Sequence, residues 1–152
     1  MTPSPARVAS GDLSAVLWRL LDASSREDSA DFLTLLDDAD GALRESTDPR
    51  WTAWRHALGA RRALIEGNAD AAVEAVSAAL EALDKCPPSP ETALTLAYLA
   101  HVEVTADHFD AAMLLAVDAS LLTEQVEVAG RPSKALHQAH RWLSLALSGL
   151  DL

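Results

Sequence analysis

Residues 57–80, ALGARRALIEGNADAAVEAVSAAL, decide the fold, because residues 97–120, AYLAHVEVTADHFDAAMLLAVDAS, lie over them at an offset of 40. In that overlay Ala60, Asp70, Ala71, Ala72 and Ala79 meet Ala100, Asp110, Ala111, Ala112 and Ala119. The helix boundaries coincide as well, with Gly67-Asn68 falling on Asp107-His108. Each copy reads as helix, turn, helix, since apolar residues recur three and four apart on both sides of the turn. A third, partial copy begins near Leu136.

Working outward, Asp48-Pro49 and Ser89-Pro90 each pair a capping side chain with a proline at the first helical position, where its missing N–H costs nothing. Cys86-Pro87-Pro88 forces a break between the copies. Upstream, Asp12 can cap a helix carrying Leu13, Val16, Leu17, Leu20 and Leu21, which the Ser24-Ser25 pair ends. A second helix runs from about Glu27 to Arg44. Downstream, Gly130 closes the sixth helix and Pro132 opens a seventh that continues to Leu147. Seven helices and no strand predict an all-α domain. Residues 1–11 form a flexible lead-in, 12–47 an N-terminal helical pair, and 48–152 two full repeats and one partial repeat.

Composition agrees with this pattern. The chain has 152 residues, one domain's worth, and 49% are hydrophobic, enough for a core. Only 5% are aromatic, and Ala and Leu dominate, which favours helix over sheet. A formal charge of −11 disfavours nucleic acid as a partner. No polybasic stretch invites an anionic membrane surface, and no apolar run is long enough to span a bilayer. Residues 1–11 lack the apolar segment of a secretory signal, so a cytoplasmic protein is expected. Cys86 is the single cysteine, which excludes an internal disulfide and a cysteine-based zinc site. The pair His137-x-x-His140 lacks a third ligand, so no metal is expected. No nucleophile–base signature or glycine-rich phosphate loop is present, and neither an enzyme nor a cofactor is expected.

Gly67-Asn68-Ala69-Asp70-Ala71-Ala72 and Asp107-His108-Phe109-Asp110-Ala111-Ala112 resemble the inter-helix turn of the tetratricopeptide repeat family. Ala60 and Ala100 match its small helix-A residue, and Ala79 and Ala119 its small helix-B residue. The resemblance covers about Trp51 to Leu150. It implies antiparallel helical hairpins stacked into a right-handed superhelix, with helices A lining a concave groove that receives a peptide. The period of 40 departs from the family's usual ~34. Ala63 and Glu103 replace the large helix-A aromatic, and the terminal proline is displaced into Cys86-Pro87-Pro88. The longer period is similar to that of divergent repeats in bacterial signalling and regulatory proteins. The Ala-, Arg- and Asp-rich character of the chain, with HRWLSLAL at residues 140–147 as a further helix A, is similar to helical-repeat regions that precede GGDEF diguanylate cyclase domains, although no GGDEF-like segment is present.

Carried over position by position, the mid-helix groove site falls on Arg61, His101 and Arg141, and the site near each helix start on Trp54, Leu94 and Lys134. His137 takes a neighbouring groove position. The resemblance therefore implies a basic stripe on an acidic protein, with an acidic peptide segment as partner and Trp54 as its apolar anchor. An anionic metabolite or nucleotide sensed in the same groove is the alternative, and the chain's own acidic helix, Glu27 to Asp48, is a further candidate occupant. The competing interpretation is a solvated face with locally paired charges. The last helix has no partner helix B. Its residues Leu136, Trp142, Leu143, Leu145 and Leu147 are not all expected to be buried by the preceding helices, and Leu136, Trp142, Leu143 and Leu147 are expected to form an association seam, either because the chain is a segment of a longer protein or because the face closes a homodimer. The latter would make the domain a dimerisation spacer. Glu103, at a position the family fills with an apolar group, should be paired, with Arg62 or His140 as candidates.

Overall fold

A computed structural model describes residues 13–151. The lead-in at 1–11 and the Asp12 cap lie outside the described residues. The seven helices are α1 (Leu13–Ser25), α2 (Ser29–Glu45), α3 (Pro49–Ile65), α4 (Ala69–Leu83), α5 (Pro90–Thr105), α6 (Phe109–Ala129) and α7 (Lys134–Gly149), with no strand among the described residues. The chain is all-α, as its sequence predicts.

Three hairpins share one turn. Glu27, Gly67 and Asp107, spaced 40 apart, all adopt left-handed backbone, with φ of 57°, 76° and 61°. The amide that follows each bonds back to the carbonyl five residues earlier: Asp28 to Ala23 at 3.0 Å, Asn68 to Ala63 at 2.8 Å, His108 to Glu103 at 2.9 Å. This closure satisfies carbonyls that the ending helix leaves open and reverses the chain. Asp28 and Asn68 then cap the next helix, each side chain accepting an amide at 3.1 Å. The α1/α2 hairpin, Leu13–Glu45, is thus built on the same plan as α3/α4 and α5/α6, which extends the repeat upstream of α3. The apolar register alone hid this, because Glu27 stands where the second copy has the telling glycine.

Several boundaries differ from expectation. Ser24 and Ser25 do not break α1. They complete it, and the reversal comes at Glu27. Pro132 does not open α7: Ser133 caps it, its Oγ accepting from the Leu136 amide at 3.1 Å. The left-handed turn recurs a fourth time at Asp151, with φ 59°, which is 44 residues beyond Asp107 rather than 40. The period therefore slips by four residues, about one helical turn, between α5 and α7.

Helix α5 is the centre of the core. It packs against α6 and α7 along their length and touches α3. Ala93, Ala97 and Ala100 on α5 and Ala139 and Ala146 on α7 are fully buried. Such small side chains let the two backbones approach closely. Trp54, Tyr98 and Trp142, each 44 residues apart, stack through this interior, with ring centroids 5.6 Å and then 4.9 Å apart. One contiguous apolar cluster spans all seven helices.

Helix α1 packs chiefly against α2, and side chains on its other side reach α5 and α7, along which it runs in the same direction. Lys Nζ of residue 134 sits 4.7 Å from the Trp18 ring centre, and seven residues further along both helices Arg141 donates to Ser25 Oγ at 3.1 Å. The Ser24 hydroxyl meets the Tyr98 hydroxyl at 3.1 Å in the buried interior. Burial of Leu13, Leu17, Leu20 and Leu21 is worth ~2 kcal/mol per side chain, against ~1 kcal/mol for the hydrogen bond. Apolar contact holds α1 in place, and the Ser24–Tyr98 bond sets its register.

Candidate interaction surfaces

The face of α3, α5 and α7 that the family resemblance assigns to a peptide is covered by α1. Trp54 is 2% exposed, Leu94 is buried and Tyr98 is fully enclosed. Trp54 is therefore a core residue and not an accessible anchor, and only its margin reaches solvent. The anticipated occupant also differs: α1 fills this face, not the acidic helix from Glu27 to Asp48.

Part of the basic stripe is assembled around the end of α1. Burial lowers the His101 pKa, the nearby Arg61 guanidinium lowers it further, and Glu27 opposes both. The His101 ring meets Trp142 edge-on at 5.0 Å. Arg141 stands beside Ser25 on the same side. Among the described residues, neither Arg61 nor Arg141 forms an ion pair, whereas Arg26, Arg44, Arg50 and Arg62 each do. The three residues do not occupy equivalent repeat positions, however. Because the turn slips by four residues, Arg141 corresponds to Ala97, and Leu145 is the equivalent of His101. They converge because a one-turn slip brings Arg141 to nearly the same side of its helix. Lys134 is spent on Trp18, and His137 is exposed at another point of α7.

The association seam does not survive. Leu136 is 7% exposed, Leu143 8% and Trp142 0%, while Leu147 is half-buried and Leu145 alone of this face stays exposed, at 37%. Counting one missing helix B overlooked that α7 lies along α5 and against α6, which together cover this face. The Trp142 Nε1–H is buried without a hydrogen-bond partner among the described residues.

Glu103 is buried as its position requires, but its partner is His108, whose Nδ1 lies 3.4 Å from the carboxylate. Arg62 instead binds Asp37 at 2.7 Å and Glu66, and exposed His140 faces Glu127 at 3.4 Å. No group of three or more His, Cys, Asp or Glu among the described residues could hold a metal ion. Among the described residues no helix is long and apolar enough to cross a membrane. Burial raises the pKa of the Cys86 thiol, so its environment does not activate it.

One cleft of about 190 Å³ opens where the starts of α1, α3 and α5 meet. Trp18, Trp51 and Trp54 form its walls, with Arg50 and Glu91 on the polar side. Arg50 is already held by Asp48 at 2.8 Å. Trp51 and Trp54 lie three residues apart on one helix face, a spacing that normally marks core packing, so the cleft is not legible in the sequence. Tyr98 was missed as well, although its 44-residue distance from both Trp54 and Trp142 was visible.

No protein-family model matches the chain, and neither a curated protein nor a solved structure does.

Proposed function

We propose that this chain is a non-catalytic protein-interaction module that captures a helical peptide segment on the face of α3, α5 and α7. The observation that carries this reading is α1 itself. It packs its leucines chiefly toward α2 and the edge of α3, lies over that face through Leu17 and Trp18 beside Trp54 and Leu94, and leads into Ser25 and Glu27 near Arg141 and His101. The partner would be an apolar helix with a carboxylate-bearing end, an acidic segment in keeping with the unpaired arginines. Binding then requires displacement of α1, which makes the module switchable. In this reading it acts in the cytoplasm as a regulatory or sensory element, as tetratricopeptide-like repeats of bacterial signalling proteins do.

The test uses a labelled peptide of residues 13–28 and the full-length Leu20→Asp variant, in which a charge at a 1% exposed site releases α1. With helicity verified by circular dichroism, that variant binds the peptide saturably and wild type binds it weakly. Adding Arg61→Glu and Arg141→Glu abolishes the interaction. Equal binding to the charge-reversed chain, or none to the released chain, refutes the proposal.

The tryptophan-lined cleft favours a second reading, a sensor of a small planar anion stacked on Trp18 and Trp51 with Arg50 as counter-charge. Three of the four tryptophans line it, so such a ligand would quench the intrinsic fluorescence. A panel of aromatic carboxylates and nucleotides that leaves the emission unchanged removes this reading.

A further inference from the structure

Helix α6 carries a second, unpartnered face. Leu114 is 69% exposed, Val117 49%, Leu121 61% and Val128 85%, and Phe109 adds 49% at the helix start. The α4 helix provides an internal control, because it is the same element one repeat earlier. At the 40-residue offset, exposed Glu74, Ser77 and Glu81 of α4 are replaced by Leu114, Val117 and Leu121 of α6. The equivalent surface is polar in one hairpin and apolar in the next. Solvation alone does not require that exchange, and a contiguous exposed apolar stripe is the mark of a docking site.

The stripe has coiled-coil spacing. Leu114, Leu121 and Val128 are seven apart, with Val117 and Glu124 at the intervening positions. From Leu114 to Val128 it covers about 21 Å of helix, roughly four turns. Asp118 and Glu127 flank it, Asp110 and Glu124 stand on the seam line itself, and α6 contains no Lys or Arg. A second copy of the chain would bring like charges together across the seam, and each copy carries a net charge of −11. The complementary partner is a helix with its own apolar stripe and basic flanks. Its lysines or arginines would face Asp118 and Glu127 while its leucines cover Leu114 and Leu121.

We infer that the outer face of α6 docks a basic amphipathic helix of another protein, at a site distinct from the face that α1 covers.

The probe is a synthetic helix with leucine at heptad positions a and d and lysine elsewhere, measured by fluorescence anisotropy at about 150 mM salt, where long-range attraction is screened. Its counterpart has glutamate for every lysine. Wild type is expected to bind the lysine helix saturably, with amide chemical-shift changes confined to α6, and to ignore the glutamate helix. The decisive variant is Leu114→Asp with Leu121→Asp. Both sites are solvent-exposed and their α4 equivalents are already acidic, so the fold is retained. The variant gains two negative charges, so unspecific attraction would strengthen binding, whereas loss of the apolar seam weakens it by about tenfold or more. Equal or tighter binding by the variant overturns the proposal, as does absence of binding to wild type. A wild-type dimer that the variant dissolves also overturns it, because the occupant would then be a second copy. The Leu114→Ser with Leu121→Ser chain separates loss of the seam from added charge and should weaken binding similarly.

Discussion

Tyr98 is the single tyrosine of the chain, so absorbance of the phenolate reports one known site. Full burial pushes its pKa from 10.0 up to about 12, with the Ser24 hydrogen bond and the Arg61 charge pulling weakly the other way. The folded state therefore holds the phenol proton more tightly than the unfolded chain does. That contribution to stability is intact below about pH 10 and is lost progressively as pH rises toward about 12. Two units at 1.36 kcal/mol each set the loss at roughly 2–3 kcal/mol. Urea unfolding followed by tryptophan emission, in steps from pH 8 to about 11.5, should show this slope in wild type. Tyr98→Phe, which has no proton to release, should lack it. The Ser24→Ala chain removes a bond that stabilises the phenolate, so its titration by absorbance near 295 nm should move upward. A wild-type Tyr98 that ionises near pH 10 without unfolding would refute the packing of α1 over α5.

Further expectations concern the turns, the buried acid and the acid limb of stability. Gly67 has φ +76° and open space around an added Cβ, so Gly67→Ala should cost ~1 kcal/mol through backbone strain alone, and Glu27→Gly should recover a similar amount, both read from denaturant midpoints. His108→Ala leaves the buried Glu103 carboxylate without its partner and should cost ~1–3 kcal/mol, whereas Glu103→Leu with His108→Ala should return to near wild type in the same assay. Burial and Arg61 lower the His101 pKa, so the unfolded state takes up the proton first. Stability should fall as pH drops below about 6.5 toward the lower folded value, and His101→Gln should flatten that limb in thermal melts.

The position of the candidate site shows where local information stops. Proline, cap and glycine signals act over four or five residues, so Asp48-Pro49, Ser89-Pro90 and Gly67-Asn68 announce their helix ends without reference to the rest of the chain. The basic stripe was only half legible. Arg61 and His101 follow from the offset of 40, while Arg141 reaches the same region by a one-turn slip that conserves the helix face and hides the change in register. The apolar residues of α6 are plain in the sequence, but which of them face water is not.

Taken alone, the sequence determines that this protein is a set of seven helices with short reversing turns, because capping, periodicity and propensity are properties of neighbouring residues. It also determines the acidity of the chain and its want of a metal-binding or nucleophilic signature. The tertiary structure decided which faces meet. Apolar burial is non-directional, so the leucine stripe of α1 could have met any apolar face, and the fold sets it against α2 and the edge of α3. Only the packing of Ala97, Ala100 and Ala139, which brings α5 and α7 close, buried Trp142 and Leu143. The same packing covered the expected peptide face with α1 and left Leu114, Val117 and Leu121 of α6 facing water.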